Sequence, residues 1–340
     1  MSRMIRFHAF GDADVLRLEE LPTPRPGPGE VLVQVEALGL GWQDVLWRQN
    51  LAPERARLPA GLGYELAGRV AAMGEDVADL APGMPVASFP AHSPNRYPAC
   101  GDLVLMPRTS LAVYPEVLSA REAAVYYTPY LYAYFALVGL ARLRPGQRLL
   151  VTEAGHCLAP QAVQLAKALG AEVIAATSHP ASREFIRRMG ADKVIVTEEQ
   201  DLVLEVQRYT RGAGIEVVLD QCGGPQMKLL GDLAALRGKL ILYGLNGGND
   251  ASFPACAAFQ KHLQFFRHCI LDFTGHSELG IEPDREAVRA ALQRIDELTV
   301  QGLLRPPIDR VFAFEDFVAA NRYLENDPGR GRVVLELPAG

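Results

Sequence analysis

The sequence predicts a two-domain α/β protein in which a β-rich segment precedes a doubly wound parallel sheet. Three observations carry this. The first 120 residues hold short alternating apolar runs between Gly- and Pro-rich turns. From Pro145 onward, apolar strand-like runs alternate with amphipathic helical segments. With 340 residues and 49% hydrophobic content, the chain can bury two cores at ~150 residues each.

In chain order, EVLVQVEALGL (30–40) alternates apolar and polar residues as a half-buried strand does, and it follows PTPRPGPGE, a turn-rich stretch that cannot be helix. YELAGRVAAMG (64–74) and MPVASF (84–89) read as further strands, with turns at Gly83 and around 95–98. Short strands at this spacing suggest a barrel-like domain. Ser119 with Glu122 three residues later has the spacing of a capping box. The uncharged stretch 123–140, AAVYYTPYLYAYFALVGL, reaches the ~18 residues that raise suspicion of a membrane span. Its five tyrosines and interior Pro129 fit a buried aromatic helix instead.

Five strands follow: QRLLV, EVIAAT, KVIVT, IEVVLD and KLILYGL. Between them lie helices QAVQLAKALG, ASREFIRRMG, DLVLEVQRYT and MKLLGDLAALRG, the pattern of a parallel sheet covered on both faces. After Gly248 the regularity lapses until a helix over 285–302, the segment RVFAFEDFVAANRYLEN and a last strand, GRVVLEL.

A net charge of −6 and a pI near 5.7 argue against nucleic acid as the main partner. The opening MSRMIRFHAFGDADV has no apolar secretory segment, so a cytoplasmic location and no membrane partner are expected. The five cysteines lie far apart with no Cys-x-x-Cys, which excludes a local zinc knuckle; most of them read as buried small hydrophobes.

The words PGPGEVLVQVEALGL, GYELAGRV, LRPGQRLLVTEAG, AVQLAKALGAEVIA, GADKVI, EVVLD, GKLILYG and GRVVL occur in this order. Together they resemble the medium-chain dehydrogenase/reductase superfamily, most of all its zinc-free quinone oxidoreductase branch, from about residue 4 to 337. The resemblance implies a GroES-like catalytic domain (1–125 and 270–340) and a Rossmann domain (126–269) that holds NADPH in the cleft between them. It also implies a homodimer, with the sheet edge near 240–275 as the contact.

Zinc-dependent relatives carry a Cys before an Asp and a Gly-His-Glu word. Here Gly41 and Tyr64 stand in those places, and Glu65 alone would not hold an ion that needs about three protein ligands. No metal is expected. The cofactor loop reads Ala154-Gly155-His156-Cys157-Leu158-Ala159, where relatives have Ala-x-Gly-Gly-x-Gly. Either His156 and Cys157 reshape a loop that still cradles a pyrophosphate, or the loop has closed. Tyr132 replaces a Thr that contacts cofactor in relatives, and Gly244 and Leu245 fall in the turn after the fifth strand. No acid ends the EVIAAT strand, so Thr177, Ser178 and Arg183 are assigned to a 2′-phosphate, with Arg183 as a solvated helix-start residue the alternative.

For the chemistry, the Asn and Tyr usual in relatives read Gly41 and Leu46. Tyr64 is then the first candidate to donate to the acceptor oxygen, with Gln43 and Asp44 beside it, and a tyrosine merely filling the metal's space is the alternative. The function expected is NADPH-dependent reduction of a quinone or related α,β-unsaturated carbonyl. The alternatives are an enoyl- or alkenal-type reductase and a catalytically silent NADP-binding or structural protein.

Overall fold

The computed structural model describes residues 1–326 and 330–338. The chain divides into two compact units, one of Met1–Thr128 with Leu271–Gly340 and one of Pro129–Ile270.

The first unit opens with β1 (Ser2–Phe7), β2 (Leu16–Leu21), β3 (Glu30–Leu40) and α1 (Trp42–Arg48). It continues with β4 (Ala60–Gly61), β5 (Glu65–Met73), β6 (Pro85–Ser88), β7 (Leu103–Pro107), β8 (Leu111–Ala112) and α2 (Ala120–Ala123). Strand β1 is central to a small sheet of order β2-β1-β4. The strand expected at 30–40 is β3, whose long apolar run packs on both faces: Val31, Val33, Leu38 and Leu40 are all buried. Antiparallel β5 runs along its whole length and β7 along its first half.

Next comes α3 (Tyr127–Tyr134), continued by a π-helical turn at Phe135–Leu140. The expected single helix over 123–140 is therefore interrupted after Ala123 and widened at its end. Among the described residues no helix is long and apolar enough to cross a membrane. The tyrosines are explained by their hydroxyls. The Tyr126 hydroxyl donates to Asp296 Oδ1 at 3.0 Å and lies 2.7 Å from the Thr299 hydroxyl, and Tyr127 donates to the Val113 carbonyl at 3.0 Å. Each buries a ring while keeping its polar end partnered. Ser119 does cap α2, and Glu122 returns a bond to its backbone N–H.

The second unit contains β9 (Arg148–Val151), α4 (Ala159–Ala168), β10 (Glu172–Thr177), α5 (Arg183–Arg188), β11 (Lys193–Val196) and α6 (Leu202–Thr210). They are followed by β12 (Ile215–Asp220), α7 (Met227–Leu233), β13 (Ala234–Leu242), α8 (Ala255–Lys261) and β14 (Gln264–Arg267). The sheet order is β11-β10-β9-β12-β13-β14, and every neighbouring pair is parallel. This is a doubly wound sheet whose strand order reverses between β9 and β12. Two sequence expectations are corrected. The sheet has a sixth strand, β14, too short and too half-exposed to stand out as an apolar run. The expected helix MKLLGDLAALRG stops at Leu233, because Ala234 pairs with Ile215 and the chain then bulges through Arg237 at φ 58. Sheet pairing overrides the helix propensity of Ala and Leu there.

The chain returns to the first unit with α9 (Leu271–Thr274), α10 (Arg285–Val300), β15 (Ile308–Ala313), α11 (Phe317–Asn326) and β16 (Arg332–Glu336). Strand β16 pairs with the second half of β3 and completes a sheet of order β15-β16-β3-β5-β6-β8. Its core joins residues from both ends of the chain, among them Phe7, Trp47, Leu66, Phe314 and Leu335.

Leu150, fully buried on β9 at the centre of the parallel sheet, is the sharpest stability probe of the second unit. Leu150→Ala is expected to cost about 2–5 kcal/mol, read as a lower denaturation midpoint.

Candidate functional site

The second unit gathers the sequence's cofactor candidates at the carboxyl ends of β9, β10 and β13, where open α/β sheets bind ligands. After β9 the chain turns through Glu153 (φ 43) and Cys157 (φ 52), two left-handed positions held by residues with a Cβ. The loop thus follows a glycine-like path without the glycines, at a cost of about 1–2 kcal/mol per residue. Hydrogen bonds fix it: Ala154 N–H donates to the Ala176 carbonyl and His156 N–H to the Glu153 carbonyl, both at 2.9 Å. Gln221 Nε2 donates to the Glu153 carbonyl at 2.7 Å. Gly155 lies against the start of α5, where a Cβ would sit 2.9 Å from that of Ser182. Ala159 opens α4 and is fully buried; its N-cap, Leu158, supplies no side-chain bond to the first turn. Cys157 Sγ lies 2.8 Å from His156 Nδ1.

Across the sheet, Gly244 lets the end of β13 touch β12, since a Cβ would lie 2.5 Å from the Gln221 carbonyl, while Leu245 is 56% exposed. Tyr132 accepts from His268 Nε2 through its carbonyl at 2.9 Å and meets that ring edge-on. The Tyr243 hydroxyl and the amide of Gln161 in the first turn of α4 are sequestered and have no hydrogen-bond partner among the described residues. A tight loop entering an uncapped helix turn, with unsatisfied polar groups beside it, fits a dinucleotide pyrophosphate.

Ser178 and Arg183 are both already engaged by carboxylates. The Ser178 N–H and hydroxyl each lie 3.1 Å from Glu153 carboxylate oxygens, and Arg183 pairs with Glu199. Thr177 is buried and accepts from the His179 N–H through its hydroxyl. Glu153, which the sequence shows only as a loop residue, thus puts an acid at the end of β10.

The first unit separates its three candidates. Asp44 is fully buried and turns back to accept from the Gly41 N–H at 2.9 Å, closing the first turn of α1. Burial pushes its carboxyl up to about 7; the Gly41 bond opposes this, Glu65 adds to it, and Arg332 and Arg48 oppose it. Glu65 accepts from the guanidinium of Arg332, which also reaches the Leu40 carbonyl. Burial raises the Glu65 pKa against that pull. Gln43 folds back towards Gly41. Tyr64 belongs to a different group: its ring lies edge-on to Trp47 at 6.3 Å and 6.2 Å from His92. Trp47 itself is core, its indole N–H bonded to the Gly61 carbonyl.

His92 and its surroundings are the feature the sequence reading missed. It is only 5% exposed, and among the described residues no well-formed hydrogen bond reaches either ring nitrogen, the Phe89 backbone being its polar neighbour. Burial drives its pKa down to about 4, the Phe89 backbone opposing and His276 adding to the fall. It lines a cavity of about 1280 Å³ together with Tyr97, His276, Ile281, Val288 and Asp296. That volume exceeds the ~300–1,000 Å³ usual for small-molecule sites. His276 Nε2 lies 3.2 Å from Glu54, whose other oxygen accepts from Ser93 and Asn95 at 2.6 Å. The Asp296 carboxyl is raised by burial to about 6, although Tyr126 donates to it and the Tyr127 hydroxyl lies 3.4 Å away.

Residues 27–128 match the family described as alcohol dehydrogenase GroES-like domain, and residues 159–282 the one described as zinc-binding dehydrogenase. The chain belongs to the medium-chain dehydrogenase/reductase superfamily. Its two units are accordingly the GroES-like domain and the Rossmann-type domain of this superfamily of oxidoreductases, which bind nicotinamide cofactors. The chain is 28% identical over 347 residues to the synaptic vesicle membrane protein VAT-1 homolog of Mus musculus, covering 98% of this chain and 83% of that protein. The crystal structure of an NAD-dependent alcohol dehydrogenase superposes with a TM-score of 0.88 at 27% identity, covering 99% of this chain and all of the other. The Escherichia coli quinone oxidoreductase complexed with NADPH gives 0.86 at 25%, covering 99% and 100%.

Against the zinc pattern of medium-chain dehydrogenases, Gly41 is here the N-cap of α1, and Tyr64 packs between Trp47 and His92. Among the described residues no three His, Cys, Asp or Glu side chains stand together as a metal site. One signal for His92 was present in the sequence, a histidine in the Pro-rich segment 89–98, which reads as a turn until its burial is known.

Because the folded pKa of Asp44 lies above its ordinary 3.8, the folded state holds a proton that the unfolded chain releases. This contribution to stability is present at low pH and is lost as pH rises through about 7. Asp44→Asn keeps the cap acceptor and removes the titration. Its stability relative to wild type is therefore expected to rise between about pH 4 and about pH 7 and to level off above that, by denaturant titration at each pH.

Proposed function

We propose that the protein is a zinc-independent reductase that passes hydride from a nicotinamide dinucleotide to a quinone or related α,β-unsaturated carbonyl. The observation that carries this reading is the buried, neutral His92 beside Tyr64, facing a cavity large enough for a flat acceptor. When bound, the dinucleotide supplies the hydride. In the αβ loop the N–H groups of Ala154, His156 and Ala159 are already bonded within the protein and Pro160 has none, so those of Gly155 and Leu158 are the backbone donors assigned to its pyrophosphate.

The protein's own part is electrostatic. As hydride reaches the acceptor, its oxygen gains charge and needs a donor already in place. A neutral imidazole always carries one N–H and one unprotonated nitrogen, so His92 can offer its N–H to that oxygen. Tyr64 supports the ring from one side. Overall, quinone, one hydride and one proton give hydroquinone. The proton reaches the oxygen from solvent through the cavity. Asp44 and Gln43 act at one remove, by fixing the turn that presents Trp47 towards Tyr64.

For the coenzyme, the sequence expects NADPH, and the NADPH complex of the E. coli enzyme is in keeping with that. The placement of Glu153 turns the reading towards NADH, as argued below. The further partner proposed is a second copy of the chain, paired along the edge strand β14, where the preceding α8 leaves Phe259 84% exposed. A monomeric mass by light scattering would remove that proposal.

The activity test compares NADH or NADPH oxidation with 1,4-benzoquinone and with an enal as acceptors. His92→Phe is expected to lower acceptor kcat/KM by about 10²-fold while leaving coenzyme affinity in place. Prior dialysis against a chelator is expected to change nothing. Turnover of the enal alone would identify an alkenal reductase, and no turnover with either acceptor, despite coenzyme binding, would refute the enzymatic reading.

A further inference from the structure

The end of β10 is where a dinucleotide fold reads the adenosine ribose: an acid there accepts from the 2′-hydroxyl, whereas a 2′-phosphate needs uncommitted donors. In this chain the strand itself ends on Thr177, followed by Ser178, with no acid. We infer that Glu153, delivered from the turn after β9 instead, takes the place of that acid and selects NADH over NADPH. The inference rests on the dinucleotide reading above and specifies its coenzyme.

Four observations support it. The Glu153 carboxylate is fixed at the end of β10 by the Ser178 N–H at 3.1 and 3.2 Å and by the Ser178 hydroxyl at 3.1 Å. Its backbone is equally constrained, since its carbonyl accepts from both Gln221 Nε2 at 2.7 Å and the His156 N–H at 2.9 Å. The residue holds a left-handed φ of 43, a conformation that a side chain disfavours and that the four contacts maintain. Arg183, the cation that the sequence assigns to a 2′-phosphate, is paired with Glu199.

The consequence for selectivity is a matter of charge. A carboxylate has acceptor capacity beyond the bonds it takes from Ser178, so a ribose 2′-hydroxyl can donate to it. A 2′-phosphate has no such proton to offer in its dianionic form and brings like charge against the carboxylate. It would also compete for the two Ser178 donors that Glu153 already holds.

The test is equilibrium titration of the full chain with NADH and with NADPH, followed by calorimetry, for the wild type, Glu153→Gln and Arg183→Ala. The wild type is expected to bind NADH at least about tenfold more tightly than NADPH. Glu153→Gln, which keeps the side chain's size and its acceptor for Ser178, is expected to bring the two within about threefold, chiefly by tightening NADPH. Should Glu153→Gln fail to fold by circular dichroism, Glu153→Asp, with its carboxylate withdrawn by one methylene, must also narrow the ratio. Arg183→Ala is expected to keep the NADH preference. A wild type that binds NADPH as well as or better than NADH overturns the inference while leaving the dinucleotide reading intact. So does a ratio untouched by Glu153 substitution, or a selective loss of NADPH in Arg183→Ala. Absence of binding by either coenzyme overturns both.

Discussion

The first unit depends on one buried ion pair. Arg332, on the last strand, meets Glu65 at the start of β5 and the Leu40 carbonyl at the end of β3, and both charged groups are almost fully excluded from water. Removing either partner would leave an uncompensated buried charge, which is costlier than the pair's net worth. The contact places β16 against β3 in register and holds Glu65 beside Asp44. It therefore fixes the turn of α1 from which Trp47 reaches Tyr64. A single guanidinium joins the end of the chain to the elements around the proposed acceptor cavity.

The second unit uses neutral and charged hydrogen bonds differently. Its loop after β9 has lost the glycines that normally make such a turn easy, yet the backbone still follows a left-handed path at Glu153 and Cys157. Asp220 and Gln221 at the end of β12 explain how. Asp220 accepts from Thr152 and from the backbone N–H groups of Cys222 and Gly223, and Gln221 reaches back to Glu153. The neighbouring strand holds the shape that the loop's own sequence no longer favours.

Most of the fold was legible because its signals are local. Alternation in 30–40 and the strand–helix alternation after Pro145 are periodicities that a reader can count. The sixth strand was not, since QFFR owes its state to β13 alongside rather than to any pattern of its own. Nor could MKLLGDLAALRG reveal that it changes from helix to strand at Ala234. At the site, sequence could name Gly155, Ala159 and Tyr64 by position in a motif. It could not show that Asp44 points into its own helix cap. It could not show that Ser178 is claimed by an acid 25 residues earlier. Nor could it show that a histidine in a Pro-rich turn is buried. All three are facts of tertiary contact.

The first unit is assembled from the two ends of the chain, with the whole of Pro129–Ile270 between them. During synthesis the parallel sheet is complete as a contiguous stretch before the ribosome reaches α9, so that unit can fold as soon as it emerges. The β-rich unit cannot. Until residue 332 is made, Glu65 has no guanidinium, and β3 lacks its partner β16 along its second half. For that interval its N-terminal part is an open sheet with an unpaired edge and a buried carboxylate short of its counterion. The nascent chain is therefore most exposed to misassembly in its oldest segment, and β16 is the strand that ends that exposure.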